Sequence, residues 1–251
     1  MTPILHWSFD HSHTKNGGAL FRDELLARLE ETCSNATEHR RALDYIVLPN
    51  YWRGYAAKAP GKRDRLAFGE ARIEREESGG RFADSVRYAN DASGEDMRLT
   101  FETDGGPVRE LHGAWRVVSR NSAGHGYRRF ECDGARRRDE VWLTVNGVSF
   151  CAGRVEPGAP LLCNWALFDV IPALYASQHS FTALDDLEKL KPNSRLRSLG
   201  AWSYGKVSLR GFALQGVGQP PNYWWIDESG HVVLMTNTFH TFVLRSGEGS
   251  R

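Results

Sequence analysis

Val141-Trp142-Leu143-Thr144-Val145-Asn146-Gly147-Val148-Ser149-Phe150-Cys151 decides the fold class. Two runs rich in β-branched and aromatic residues flank Asn-Gly, the dipeptide that best accepts the positive φ values of a type I′ turn. A tight antiparallel hairpin is therefore expected here.

Working outward, alternating segments recur at 65–75, 81–89, 96–103, 107–119, 126–132, 139–145 and 147–155. Ser78-Gly79-Gly80, Asn90 to Gly94, Asp104-Gly105-Gly106, Ala123-Gly124-His125-Gly126 and Asp133-Gly134 punctuate them, which is the turn chemistry of a meander. Phe82, Asp84, Val86 and Tyr88 share one strand face and Met97, Leu99 and Phe101 share another, with Arg, Glu or Thr opposite. One sheet face is expected to be wet. An earlier strand starts near Asp44 with Tyr45 and Val47, before a loop holding Tyr51, Trp52 and Tyr55. Later strands are expected at 196–203, 205–215, 222–227, 231–236 and 239–245, with Asp227-Glu228-Ser229-Gly230 as a second hairpin turn.

Two segments break the pattern. Residues 19–33 place Leu20, Leu25, Leu26 and Leu29 on one side, an amphipathic helix. Residues 161–176 are apolar all round the helical wheel and predict one buried helix, which Pro172 should end or kink. The expectation is a mainly β single domain over 1–251, with a polar N-terminal segment (1–18) and a polar tail (246–251). Its sheet is a strongly curved antiparallel one or a calycin/lipocalin-like barrel of about 10–12 strands. The layout resembles lipocalin-type and lipoprotein-carrier-type folds, and no family motif takes the likeness further.

Charge and motifs exclude several classes. With 32 Lys plus Arg against 31 Asp plus Glu, a net charge of +1 gives no field for gathering phosphates, so no nucleic acid is expected. No apolar run is long enough for a membrane span and no signal-like start is visible, so a cytoplasmic location is expected. Cys33, Cys132, Cys151 and Cys163 show no zinc or redox spacing. His6, Asp10, His11 and His13 fit no compact metal motif, so no metal and no cofactor are expected. Gly147-Val148-Ser149-Phe150-Cys151 lies in a hairpin and lacks the final glycine of a nucleophile elbow. Arg136-Arg137-Arg138 is read as a solvated basic loop, with anion recognition as the alternative.

The candidate site starts from Asp169, a carboxylate inside Trp165-Ala166-Leu167-Phe168-Asp169-Val170-Ile171, where burial would raise its pKa. Ion pairing that fixes the helix to a strand is the structural alternative. His240 shares a face with Phe242 and Leu244 and is the candidate proton shuttle. Tyr223 is a candidate positioning donor. Trp165, Trp202, Trp225 and Asn164 are candidate substrate contacts, with Trp165 expected on the helix face of Asp169. These residues predict a cofactor-independent enzyme that cyclises, isomerises or dehydrates an apolar or aromatic small molecule, in specialised metabolism. The alternative is a non-catalytic carrier. A homodimer stays open.

Overall fold

The structure, a computed structural model, describes residues 29–30, 42–49, 69–90, 94–121, 128–177, 180–204, 207–220, 222–237 and 240–245. Strands β1 (Ala42–Pro49), β2 (Gly69–Ser78), β3 (Arg81–Asn90), β4 (Glu95–Asp104), β5 (Leu111–Asn121), β6 (Arg128–Arg137), β7 (Glu140–Val145) and β8 (Val148–Arg154) form an unbroken meander. After β9 (Leu161–Cys163) comes a 3-10 turn at Asn164–Ala166 and then the helix α1 (Leu167–Ser177). Strands β10 (Phe181–Asp185), β11 (Lys189–Tyr204), β12 (Val207–Gln215), β13 (Asn222–Ile226), β14 (Val232–Thr236) and β15 (His240–Leu244) follow. All fifteen join one curved sheet, in which β15 pairs with β1 and β8 and β9 are the two edges.

Turn chemistry sets the register. Asn146 and Gly147 have φ of 47° and 88°, the type I′ pattern, and they pair Val145 with Val148 and Leu143 with Phe150. The β9–β10 pair is parallel, unlike the rest of the meander. A parallel pair needs a crossover connection, and the 3-10 turn with α1 supplies it.

The helix packs on one face of the sheet. Phe168 meets Tyr45 (4.7 Å between ring centroids) and Trp224 (4.8 Å), Tyr175 meets Phe212 (5.0 Å), and the Tyr45 hydroxyl donates to the Val232 carbonyl (2.8 Å). The opposite face of β12–β15 and β1 is also buried, through Leu209, Trp225, Leu234, Val243 and Ile46, and Trp202 of β11 joins it. The meander has a wet face, where β2 alternates Ala71 and Ile73 inside with Glu70, Arg72 and Glu74 outside.

Two tryptophans lie flat across the strand beside them because glycine is directly opposite. Trp115 pairs with Gly134, and a Cβ there would stand 2.0 Å from the indole nitrogen. Trp225 pairs with Gly211, with the ring 2.5 Å from the same hypothetical atom.

Several expectations need correction. The helix expected over 161–176 is shorter, because Leu161–Cys163 pair with β10 as a strand. A short apolar run reads equally well as a buried strand or helix, so the period could not separate them. Pro172 does not end α1, which runs on to Ser177 with Val170, Ile171 and Leu174 buried on either side of the proline. Nor is α1 surrounded, since Tyr175 is 41% exposed. Of the helix expected at 19–33, Leu29 and Glu30 are helical and Leu29 is fully buried; the remainder lies outside the described residues. So do 1–18, the Tyr51–Tyr55 loop, the N-terminal histidine group and the tail.

Candidate functional site

Phe168 divides the interior into two polar ends. Its ring also stacks on Trp165 (5.6 Å) and meets Phe242 edge-on (5.9 Å), so an aromatic plug fills the middle. Along β3 the two ends are marked by Asp84 and Tyr88, four residues or roughly 13 Å apart.

The first end is an ion-pair clasp. Asp169, in the first turn of α1, accepts from Arg75 Nη1 on β2 (2.8 Å) and Arg109 Nη2 in the β4–β5 connection (2.9 Å). Arg75 Nε also binds Asp84 (2.6 Å), whose second oxygen accepts from Thr103 (3.4 Å). Burial pushes the Asp84 carboxyl up and Arg75 pulls it back down. The guanidinium of Arg109 lies 3.8 Å over the Phe82 ring, on a backbone held at φ 52°. Two arginines and two aspartates balance. The Asp169 side chain is 34% exposed rather than enclosed, and its charge is compensated on two sides. This is the arrangement that ties a helix to a sheet.

The second end carries its own set of shifted groups. Here the β10–β11 turn puts Asp186 and Leu187 in the left-handed region (φ 47° and 59°), which costs about 1–3 kcal/mol per non-glycine residue. Neighbours hold the turn. Asn164 Nδ2 and Trp165 Nε1 donate to Asp186 Oδ1 (3.1 and 2.9 Å), the Asp186 amide donates to Asn164 Oδ1 (3.0 Å), and Trp115 Nε1 donates to the Leu187 carbonyl (3.0 Å). His240 lies on the helix side of β15, 6.2 Å from Tyr88 and 6.4 Å from Phe242 between ring centroids. Burial lowers the His240 pKa, against the pull of Asp186. Tyr88, whose hydroxyl accepts from Asn90 (3.0 Å), is pushed up to about 12 by burial. Glu95 accepts from Ser119 (3.4 Å) and is raised by burial, with Asp186 and Glu188 adding to it. Asp185 is raised to about 6 by burial and the charge of Asp186. An imidazole with a lowered pKa and a phenol and two carboxyls with raised ones thus share this end with the rings of Trp165 and Phe242.

The candidate residues fall into three groups. Trp165, Asn164 and His240 come together at this second end. Asp169 is at the clasp, and Trp165 does not share its surroundings, because Trp165 belongs to the 3-10 turn rather than to α1. Tyr223, Trp225 and Trp202 are on the sheet face opposite the helix: Tyr223 pairs with Ala213 and Thr236, and Trp225 covers Gly211, while Trp224 is the neighbour that reaches Phe168. One cavity lined by Trp165, Trp202 and Trp225 is not what the described residues form. Arg136 of the basic run is tied to Glu110, and Arg137 lies over the Trp142 ring, so these two arginines have partners within the chain. Among the described residues no group of three or more His, Cys, Asp or Glu could hold a metal ion.

Sequence reasoning missed Asp186, Glu95 and Trp115. Their roles depend on partners remote in the chain.

No family model matches the chain, and no curated protein matches it. A crystal structure described as a beta-barrel-like protein of domain of unknown function DUF1849, from Brucella abortus, matches with a TM-score of 0.52 at 11% identity. The chain has a β-barrel-like fold. The match covers 81% of this chain and 94% of that one, so the likeness extends over most of the chain rather than one hairpin. At that identity it speaks for architecture alone. No described helix is long and apolar enough to cross a membrane.

Proposed function

We propose that this β-barrel-like protein binds an apolar or aromatic small molecule at the His240 end and that binding, rather than turnover, is its activity. The observation that carries this reading is the convergence of Tyr88, Glu95, Trp165, Asp186 and His240 around a strained turn. Strain and shifted protonation concentrate where a ligand is met. Turnover is disfavoured because the acid and base expected to act together are separated by the Phe168 plug.

Saturable fluorescence of the neutral aromatic probe N-phenyl-1-naphthylamine tests it. His240→Ala and Trp165→Phe should weaken binding about tenfold, or roughly 1.4 kcal/mol, while Asp169→Asn should leave it unchanged. No saturable binding, or an equal loss in Asp169→Asn, would count against the site.

The second reading is acid–base chemistry with His240 as base and Glu95 as acid, favoured by their opposed pKa shifts. His240→Gln separates the two. It keeps a donor and an acceptor and cannot shuttle a proton, so binding survives under the first reading and turnover of a screened substrate is lost under the second.

A further inference from the structure

Strand β8 is an edge of the sheet, and it is an unusually undefended one. Val148 is 68% exposed and Phe150 is 43% exposed, and residues 148–153 contain no charge and no proline. Natural edges are normally blunted by lysine, proline or a covering element. Here the shielding is confined to the far end, where Leu190 of β11 stands 2.8 Å from where a Cβ on Gly153 would be, and Arg154 is tied to Glu140 (3.2 Å).

The register fixes which backbone groups point outward. Val145 and Val148 flank a two-residue type I′ turn and so exchange hydrogen bonds, and Leu143 with Phe150 is the next such pair. Ser149 and Cys151 consequently direct their N–H and C=O groups away from β7. The other edge of the sheet, β9, is fully buried at Leu161, Leu162 and Cys163, so head-to-tail addition of β8 onto β9 of another copy is blocked. What remains is isologous pairing, which closes at two copies.

We infer that the protein forms a two-fold homodimer by antiparallel pairing of β8 with β8 of a second copy, centred on Phe150. In this register Ser149 exchanges hydrogen bonds with the partner's Cys151, and Phe150 faces the partner's Phe150 as a non-hydrogen-bonded pair with Cα atoms about 4.5 Å apart. Val148 packs towards the partner's Ala152. Because the strand is uncharged, nothing repels an identical strand and nothing selects a charged foreign one. The contact is short, below the roughly 1,200 Å² of standard interfaces, so the dimer dissociates on dilution. This inference is independent of the ligand site.

Light scattering after size exclusion at roughly 100 µM should give a mass approaching twice the 28.3 kDa of the chain. Phe150→Lys, which sets two ammonium groups face to face, should restore the monomer mass. In a Cys151→Ser background, mild oxidation should link Phe150→Cys chains into dimers and leave Val148→Cys and the parent unlinked. A wild-type monomer at that concentration would overturn the inference. So would folded Phe150→Cys protein that does not link, or Val148→Cys that links equally well.

Discussion

Replacing Gly134 by alanine tests the packing of the meander at one atom. Gly134 is not in the left-handed region, so its backbone accepts alanine. Strand propensity alone would then make the change favourable by about 0.5–1 kcal/mol. The structure reverses the sign. A Cβ would stand 2.0 Å from Trp115 Nε1 and 2.2 Å from Cε2, and ring atoms cannot give way as the tip of a flexible side chain can. Moving the indole also breaks its hydrogen bond to the Leu187 carbonyl, the contact that steadies the strained Asp186–Leu187 turn. Overpacking costs about 1–3 kcal/mol and a lost hydrogen bond about 0.5–1.5, so after the propensity gain Gly134→Ala should destabilise by about 0.5–4 kcal/mol. Urea unfolding would show this as a lower midpoint at unchanged slope. A double-mutant cycle with Trp115→Leu should remove most of the penalty. Gly134→Ala protein as stable as the wild type, or a penalty that persists without the indole, would refute the argument.

Other consequences follow from the two polar ends. Asp169→Asn removes both ion pairs of a one-third-exposed carboxylate, and a loss of about 1–2 kcal/mol in urea unfolding is expected, between the values for surface and buried pairs. Asp185 has a folded pKa of about 6 against an ordinary 3.8, so the folded state holds its proton more tightly and stability falls as pH rises between those values. Asp185→Asn should therefore be the more stable protein above pH 6, with the difference vanishing below 3.8. His240 has the opposite sign: its pKa lies below 6.5, so the stability it contributes is present above 6.5 and is lost as pH falls through its folded value. Imidazole proton shifts followed by NMR should place the His240 midpoint below 6.5, and a midpoint at or above that value would contradict its burial.

The strand framework was legible because its signals are local. Asn146-Gly147 and Ser78-Gly79-Gly80 encode their turns in two or three residues, and the alternation of Phe82 to Tyr88 needs no knowledge of what covers it. Strand β5, expected from 107, starts at Leu111 because Asp104 Oδ1 accepts from the amides of Gly106 and Glu110 and ties the intervening chain into a turn. Asp169 was recognisable as a charge in an apolar segment, and ion pairing was one reading of it. Its partners Arg75 and Arg109 could not be read, since only the curvature of the sheet brings β2 and the β4–β5 connection to the helix. The second end was harder still. Asp186 sits beside other acids in what looks like a solvated link, and its bonds to Asn164 and Trp165 exist because β9 and β10 pair in parallel across the crossover.

The most direct test of the central claim is the response of two indole N–H signals to the aromatic probe. In ¹H–¹⁵N spectra, titration with N-phenyl-1-naphthylamine should shift the Trp165 Nε1 resonance together with the amides of Tyr88, Glu95, Asp186 and His240. The amides of Arg75, Asp84 and Arg109 at the clasp, and the indole of Trp225 on the far face, should stay in place. Shifts centred on the clasp or on Trp225, with Trp165 unmoved, would contradict a binding site at the His240 end.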